Sequence, residues 1–166
     1  LLDVVFIISL LPAALCVVKK AAWSNPFFAG VMWATGYIQN DDPMQLISNC
    51  VESLDQGNNL LIFPEATRSV PGQPLKLKRG AASVIVKRRK KFTPLIITCI
   101  PATLIKGSKW YDIPVRRPHF RLTVEGQVDS QPLIAEYEAF SKSTRQVNRE
   151  LKRLFLRGIN RYERSD

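Results

Sequence analysis

The sequence is poor in residues that bind metals or form disulfide bonds. It contains one histidine, His119, and three cysteines, Cys16, Cys50 and Cys99. The cysteines stand apart in apolar surroundings, without a C-x-x-C pair or a Cys/His spacing typical of a zinc site. The sequence therefore predicts buried reduced thiols, a reducing compartment and no metal. A lone histidine with no carboxylate nearby in the sequence is not predicted to act as a base.

Nucleotide-binding loops are missing as well. Neither G-x-G-x-x-G nor G-x-x-x-x-G-K-[ST] occurs, so nothing supports binding of dinucleotides or nucleoside triphosphates, and we expect no cofactor. The apolar run from Leu1 to Val18 is interrupted by Asp3 and Pro12, which leaves pieces too short to cross a bilayer. The chain starts without Met or a cationic leader, so we expect a fragment of a longer protein.

Negative charge is lacking over a long internal stretch. Residues 66–111 contain eleven Lys or Arg and no Asp or Glu, within a chain of formal charge +10. Such a region indicates an anionic partner, which could be nucleic acid, an anionic membrane, a phosphorylated substrate or an acidic carrier protein. Composition alone does not rank these four.

Apolar strands alternate with helical patterns along the 166 residues. The strand candidates are 17–20, 60–63, 94–101 and 120–128, and the helix candidates are 1–11, 27–35, 43–54, 80–91 and 133–164. The second of these strands reads as central and fully buried, and the helix at 43–54 carries an apolar stripe of Met44, Ile47, Val51 and Leu54. This alternation predicts one α/β domain over residues 1–166, with a mixed sheet flanked by helices.

Chemically active side chains follow one of these strands. The apolar run Leu60–Phe63 ends at Pro64, and Glu65, Thr67, Arg68 and Ser69 come next. Open α/β sheets bind ligands at the carboxyl ends of their strands, and the guanidinium fork of Arg suits a phosphate or carboxylate. From these residues alone, a surface salt bridge after a core strand is the simpler explanation of Glu65 and Arg68.

The segment Phe63-Pro64-Glu65-Ala66-Thr67-Arg68-Ser69 resembles the F-P-E-G-T-R-S block of the glycerolipid (lysophosphatidic acid) acyltransferase family, with Ala66 in place of Gly. Other blocks follow the family's order across residues 1–128. Lys20 ends a strand before Pro26-Phe27-Phe28-Ala29, similar to the family's Lys and P-F-F-G. Lys78 lies in a segment similar to F-K-x-G-A, where a helix start presents N–H groups to an anion.

The resemblance implies an O-acyltransferase of phospholipid biosynthesis that needs no cofactor. Aligning the family's H-x-x-x-x-D block with Asp3 places the catalytic histidine upstream of Leu1, so this chain would lack it. In the family a neutral imidazole takes the proton of the acceptor hydroxyl, and the carboxylate orients that imidazole. Asp3 is therefore the expected catalytic residue. The expected substrate-binding residues are Glu65, Ala66, Thr67, Arg68, Ser69, Lys20 and Lys78.

The implied partners are an acyl thioester donor, either acyl-coenzyme A or acyl-carrier protein, and a lipid alcohol at an anionic membrane surface. After Gly36 the family pattern reaches a basic residue thought to hold the acceptor phosphate. Here Gln39-Asn40-Asp41-Asp42 follows, which leaves the acceptor's head group open. This departure resembles acyltransferases found beside bacterial polyene-pigment enzymes, and implies a peripheral protein at the cytoplasmic face of the inner membrane.

A non-catalytic basic module that binds anionic lipid or nucleic acid is the alternative. The cationic run Lys87–Lys91 contains no aromatic residue, which disfavours the stacking typical of single-stranded nucleic acid, so nucleic acid is not expected. Residues 133–164 carry helical apolar spacing. Their apolar face lacks Trp, which favours packing on the sheet over insertion at a membrane interface.

Overall fold

The structure is a computed structural model. It describes residues 7, 9–11, 14–19, 38–40, 42–65, 73–103, 112, 114–134 and 139–163. The chain divides into two compact units, Leu1–Phe63 and Pro64–Asp166. The elements described here belong to one unit or the other. The expectation of a single domain over 1–166, with family-like residues 1–128 and helices at 133–164, stays a prediction.

A small parallel sheet forms the described part of the first unit. Its strands are β1 (Ala14–Lys19), β2 (Ile38–Asn40) and β3 (Asn59–Leu61), in the order β2-β1-β3. Val17 pairs with Ile38, and Leu15 pairs with Leu60. Helix α1 (Pro43–Asp55) connects β2 to β3, because parallel strands need a crossover.

The predicted central strand 60–63 differs from β3 in two respects. Within the described residues β1 is the middle strand and β3 lies at the edge. β3 also ends at Leu61, and only Leu61 of the four apolar residues is fully buried. The early end has a local reason, because Pro64 has no N–H to donate and restricts the backbone of Phe63 before it.

Both ends of α1 follow the sequence prediction. The side chain of Asp42 accepts a 2.8 Å hydrogen bond from the N–H of Met44, and Pro43 occupies the first turn. Gly57 has φ +86° after the last turn, and its N–H donates to the carbonyl of Leu54. This left-handed conformation is one that glycine adopts without a steric penalty.

The buried face of α1 differs from the predicted stripe. Leu46, Cys50 and Ser53 are buried, while Met44 is 75% exposed. The other three predicted positions, Ile47, Val51 and Leu54, are half-buried. Apolar residues occur on both stripes, and packing of α1 against β2 and β3 selects the one centred on Cys50.

The described residues of the second unit form an antiparallel pair of strands and three helices. The strands are β4 (Leu95–Ile100) and β5 (His119–Val124), paired from Leu95↔Val124 to Ile100↔His119. The predicted strand 120–128 is therefore shorter, with one isolated bridge between Phe92 and Val128 beyond it. The helices are α2 (Gly80–Arg88), α3 (Gln131–Ile134) and α4 (Phe140–Glu163).

Helix α4 packs its apolar face inside the second unit, against α2, α3 and β4. Val147 and Leu151 are 0% and 3% exposed, and Ile96 of β4 is 4% exposed. The contact between α4 and β4 agrees with the prediction that the C-terminal apolar face packs on the sheet, although Phe140 at the helix start is half-exposed. Among the residues the structure describes, no helix has both the length and the apolarity needed to span a membrane.

Candidate active site

Two of the eight predicted site residues lie in the described part of the chain, Glu65 and Lys78. Pro64 and Glu65 form a turn after β3, and Glu65 is half-buried. The predictions for Asp3, Lys20 and Ala66–Ser69 fall outside the described residues.

The structure brings the backbones of the two described site residues together. The N–H of Lys78 donates a 2.7 Å hydrogen bond to the carbonyl of Pro64, which belongs to the peptide linking Pro64 to Glu65. Leu75 is buried and anchors the segment that leads to Lys78. The side chain of Lys78 is exposed, so its ammonium is accessible to a ligand beside the Glu65 turn.

Helix α2 begins two residues after Lys78. Its N-cap residue, Arg79, makes no side-chain capping bond, and the first turn has no acidic residue. The N–H of Ser83 makes the first bond back, to the carbonyl of Arg79 at 2.8 Å. The earlier N–H groups therefore have no partner within the helix, and they form the positive end of the helix dipole.

Gly80 leaves open space at the start of α2. A β-carbon built at this position meets no described atom within 4 Å, so the glycine is not required by close packing there. The buried small residues come next, Ala81 and Ala82. Open N–H groups with the exposed cations Lys78 and Arg79 form a surface suited to an anionic group of a substrate.

The buried thiols are unsuited to nucleophilic catalysis. Burial raises the pKa of Cys16 and the pKa of Cys50 to about 11, and the thiolate is the nucleophilic form. The prediction that the thiols are buried is confirmed for both, whereas Cys99 has intermediate exposure. An acyl group carried on Cys16 or Cys50 is therefore disfavoured.

The described residues contain no metal-binding group of three or more His, Cys, Asp or Glu side chains. His119 begins β5 opposite Ile100, and its side chain is exposed. This position gives no support to a catalytic role for His119.

A cationic pocket lies at the end of α2. This pocket was not predicted from the sequence. Its cavity measures about 550 Å³ and is lined by Arg89, Lys90, Lys91, Asp129 and Gln131. Arg89 adopts a left-handed backbone with φ 51°. The N–H of Gln131 donates to Asp129 Oδ1 at 2.9 Å, and Gln131 Nε2 lies 3.5 Å from the carbonyl oxygen of Arg89. The run of cations is visible in the sequence, but nothing local indicates that residues 129–131 join it.

The model of the Acyltransferase family matches residues 1–105. The chain belongs to this family. Every predicted site residue, from Asp3 to Lys78, falls inside the matched range, and the resemblance to glycerolipid acyltransferases is confirmed. The individual roles of these residues stay predictions.

The family assignment agrees with one curated relative. Over 104 residues the chain is 33% identical to a 1-acyl-sn-glycerol-3-phosphate acyltransferase of Helicobacter pylori strain J99. The alignment covers 58% of this chain and 44% of that protein. The chain therefore spans less than half of that relative's length.

A solved structure of the acyltransferase family has the same fold. The 1-acyl-sn-glycerophosphate (LPA) acyltransferase PlsC from Thermotoga maritima matches with a TM-score of 0.67 and 17% identity. The match covers 98% of this chain and 62% of that one. At this identity the likeness shows the fold alone, and it confirms the predicted α/β class.

Proposed function

We propose that the chain is the acyl-transferring domain of an O-acyltransferase. It would move a fatty acyl group from a thioester to a hydroxyl of a lysophospholipid-like acceptor. The observation that carries this proposal is the F-P-E-A-T-R-S segment at residues 63–69, inside the range that matches the acyltransferase family.

The chemistry requires the transfer of one acyl group and two proton transfers, to and from a histidine. The family's histidine, in a block whose acid corresponds to Asp3, would take the proton of the acceptor hydroxyl. The oxygen would attack the thioester carbonyl to form the ester bond, and the carbon–sulfur bond would break. The imidazolium would return its proton to the departing thiolate, while the carboxylate of Asp3 would orient the ring and stabilise its charge.

The Glu65 turn and the start of α2 would bind the substrates. The hydrogen bond from Lys78 to Pro64 holds the turn beside an exposed ammonium, two residues from uncapped helix N–H groups. These groups suit a phosphate, which acyl-coenzyme A, the phosphopantetheine arm of a carrier protein and a glycerophosphate acceptor all contain. Arg68 would add a bidentate contact, and Glu65 would accept a hydrogen bond from a hydroxyl.

The finer parts of the proposal concern partners and location. Acyl-coenzyme A and acyl-carrier protein both remain candidate donors. The acceptor would be a lipid at an anionic membrane surface. The protein would be bacterial and would bind peripherally to the cytoplasmic face of the inner membrane. Asp42 of the Gln39–Asp42 segment caps α1, so this acid has a structural role where the family pattern reaches a basic residue.

A thiol-release assay on the parent protein tests the proposal. Acyl-coenzyme A and acyl-carrier protein are each offered with a panel of lipid alcohols, and ester formation is followed in parallel. We expect thiol release that depends on the acceptor and falls strongly in Glu65→Gln. Release at the same rate without acceptor would indicate a thioesterase. No release from either donor, with every acceptor, would overturn the proposal.

The basic surface supports a second candidate, a non-catalytic module for anionic lipid or nucleic acid. Lys87, Lys90 and Lys91 at the end of α2 are all exposed. Binding to nucleic acid would weaken steeply as salt rises, because it releases counterions, whereas thioester turnover would persist. A chain that binds DNA in a salt-dependent way and releases no thiol would favour this second function.

A further inference from the structure

Helix α4 has one side made of cations. Six of its residues are exposed, basic and on this side: Lys142, Arg145, Arg149, Lys152, Arg153 and Arg157. We refer to these six residues as the cationic face. Successive members lie mostly three or four positions apart, which places them along one side of a helix.

The cationic face lies opposite the packed side of α4. Val147, Leu151 and Gly158 are buried on that packed side, so the cations project into solvent. From Lys142 to Arg157 the row extends over about 22 Å, at 1.5 Å per residue. The six positions fall within about 140° of the helix circumference, so their long side chains can reach toward one flat surface.

The stability of α4 does not account for these charges. Like charges three and four positions apart repel each other. Lys142 stands in the first turn, where the helix dipole disfavours a cation and where α4 has no acidic residue. Among the described residues, Arg153 has a nearby carboxylate, Glu150 at 2.9 Å. A helix side that is merely solvated usually mixes both signs of charge.

We propose that the cationic face of α4 docks the chain on an anionic lipid surface. Anionic bilayers attract rows of Lys and Arg close to the membrane. Leu156 is 39% exposed and lies within the row, where it adds an apolar contact. The row contains no Phe, Tyr or Trp on which bases could stack. The choice of a lipid partner rests on the proposed function, because the acceptor there is a membrane lipid.

Vesicle sedimentation with the complete chain tests the cationic face. The vesicles are phosphatidylcholine with phosphatidylglycerol, and phosphatidylcholine alone. The test variant combines Arg145→Gln, Arg149→Gln and Lys152→Gln. The matched control removes the same charge at exposed cations elsewhere, with Lys76→Gln, Arg116→Gln and Arg117→Gln.

We expect the unmodified chain to bind the anionic vesicles in a salt-sensitive way. The triple variant should bind them on the order of 100-fold more weakly, from the typical contribution of each basic residue near such a membrane. The control should change binding by only a few-fold. A variant with Arg145→Lys and Arg149→Lys should bind normally, which separates loss of charge from misfolding.

Three results would overturn the docking proposal. Equal losses in the triple variant and its control would indicate net charge rather than one face. Unchanged vesicle binding by the triple variant would show that the cationic face is not the docking surface. Duplex DNA bound through the same residues, more tightly than vesicles, would make it a nucleic-acid surface.

The docking proposal and the proposed function fail in distinguishable ways. Sedimentation requires no turnover, so face-dependent vesicle binding without acyl transfer would count against the enzyme alone. Transfer to a detergent-dispersed acceptor should be unchanged in the triple variant, because none of its three residues is among the predicted substrate-binding residues. If the triple variant loses that transfer but still binds vesicles, the cationic face takes part in the reaction, and the docking proposal is overturned.

Discussion

The N–H of Lys78 donates to the carbonyl oxygen of Pro64 across a distance of 2.7 Å. The two residues are 14 positions apart in the sequence, and each lies in a different family-like segment. Their bond fixes the Glu65 turn beside the start of α2. The donor is a main-chain group, so the bond and the Lys78 charge can be removed separately.

Lys78→Pro removes the N–H and the ammonium, whereas Lys78→Ala removes only the ammonium. We expect Lys78→Pro to lower kcat/KM on the order of fivefold more than Lys78→Ala, because one hydrogen bond contributes about 1 kcal/mol and the turn then moves. Steady-state kinetics with the preferred donor measures the difference. Equal kinetics for the two variants would show that the bond does not position the site.

Arg68→Lys keeps the positive charge but loses the planar fork of donors. We expect it to raise KM for an anionic acceptor about tenfold, with a smaller change in kcat, since a bidentate contact becomes a single one. Arg68→Ala should raise KM further. Steady-state kinetics with varied acceptor measures both variants. If Arg68→Lys behaves like the unmodified protein, only a positive charge is needed at residue 68.

Gly158→Ala tests the contact between α4 and β4. A β-carbon at Gly158 would overlap Cδ1 of Ile96 and would lie 3.2 Å from its Cγ1. Since Ile96 is buried, we expect a loss of about 1–3 kcal/mol in the free energy of unfolding, as is typical of overpacking. Gly126→Ala is the control, because a β-carbon there meets no described atom within 4 Å. Urea unfolding of both variants compares them, and equal stability would refute the contact.

The buried thiols predict a loss of stability in alkaline solution. Burial raises the pKa of Cys16 and of Cys50 from 9.0 to about 11. Above pH 9 the unfolded chain loses these protons while the folded chain keeps them, so their contribution is complete below pH 9 and is lost as pH rises through about 11. The variant Cys16→Ala/Cys50→Ala should therefore show a flatter dependence of unfolding free energy between pH 9 and 11. Identical slopes would indicate that the folded thiols titrate normally.

Local chemistry explains which features could be predicted from the sequence. The ends of α1 were correct because Asp42, Pro43 and Gly57 act on backbone groups within a few positions of themselves. The acyltransferase segment was recognised because its residues are contiguous. The family match at 1–105 supports that recognition.

Contacts between distant segments could not be read in the same way. The face of α1 was wrong because two stripes of that helix are apolar, and packing against β2 and β3 buries one of them. The bond from Lys78 to Pro64 leaves no mark in the sequence, since any residue other than proline can donate it. Asp129 and Arg89 line the same pocket although they are 40 positions apart in the sequence. The bridge between Phe92 and Val128 brings the two segments together.

The sequence by itself determined the family, the ends of α1 and the excess of positive charge, because each depends on residue type or on neighbours along the chain. The tertiary structure alone decided which apolar stripe of α1 is buried and that the N–H of Lys78 bonds to the carbonyl of Pro64. The physical reason is that burial and exposure are properties of the packed chain. A residue's chemistry limits the faces it can occupy, and its packing partners select one of them.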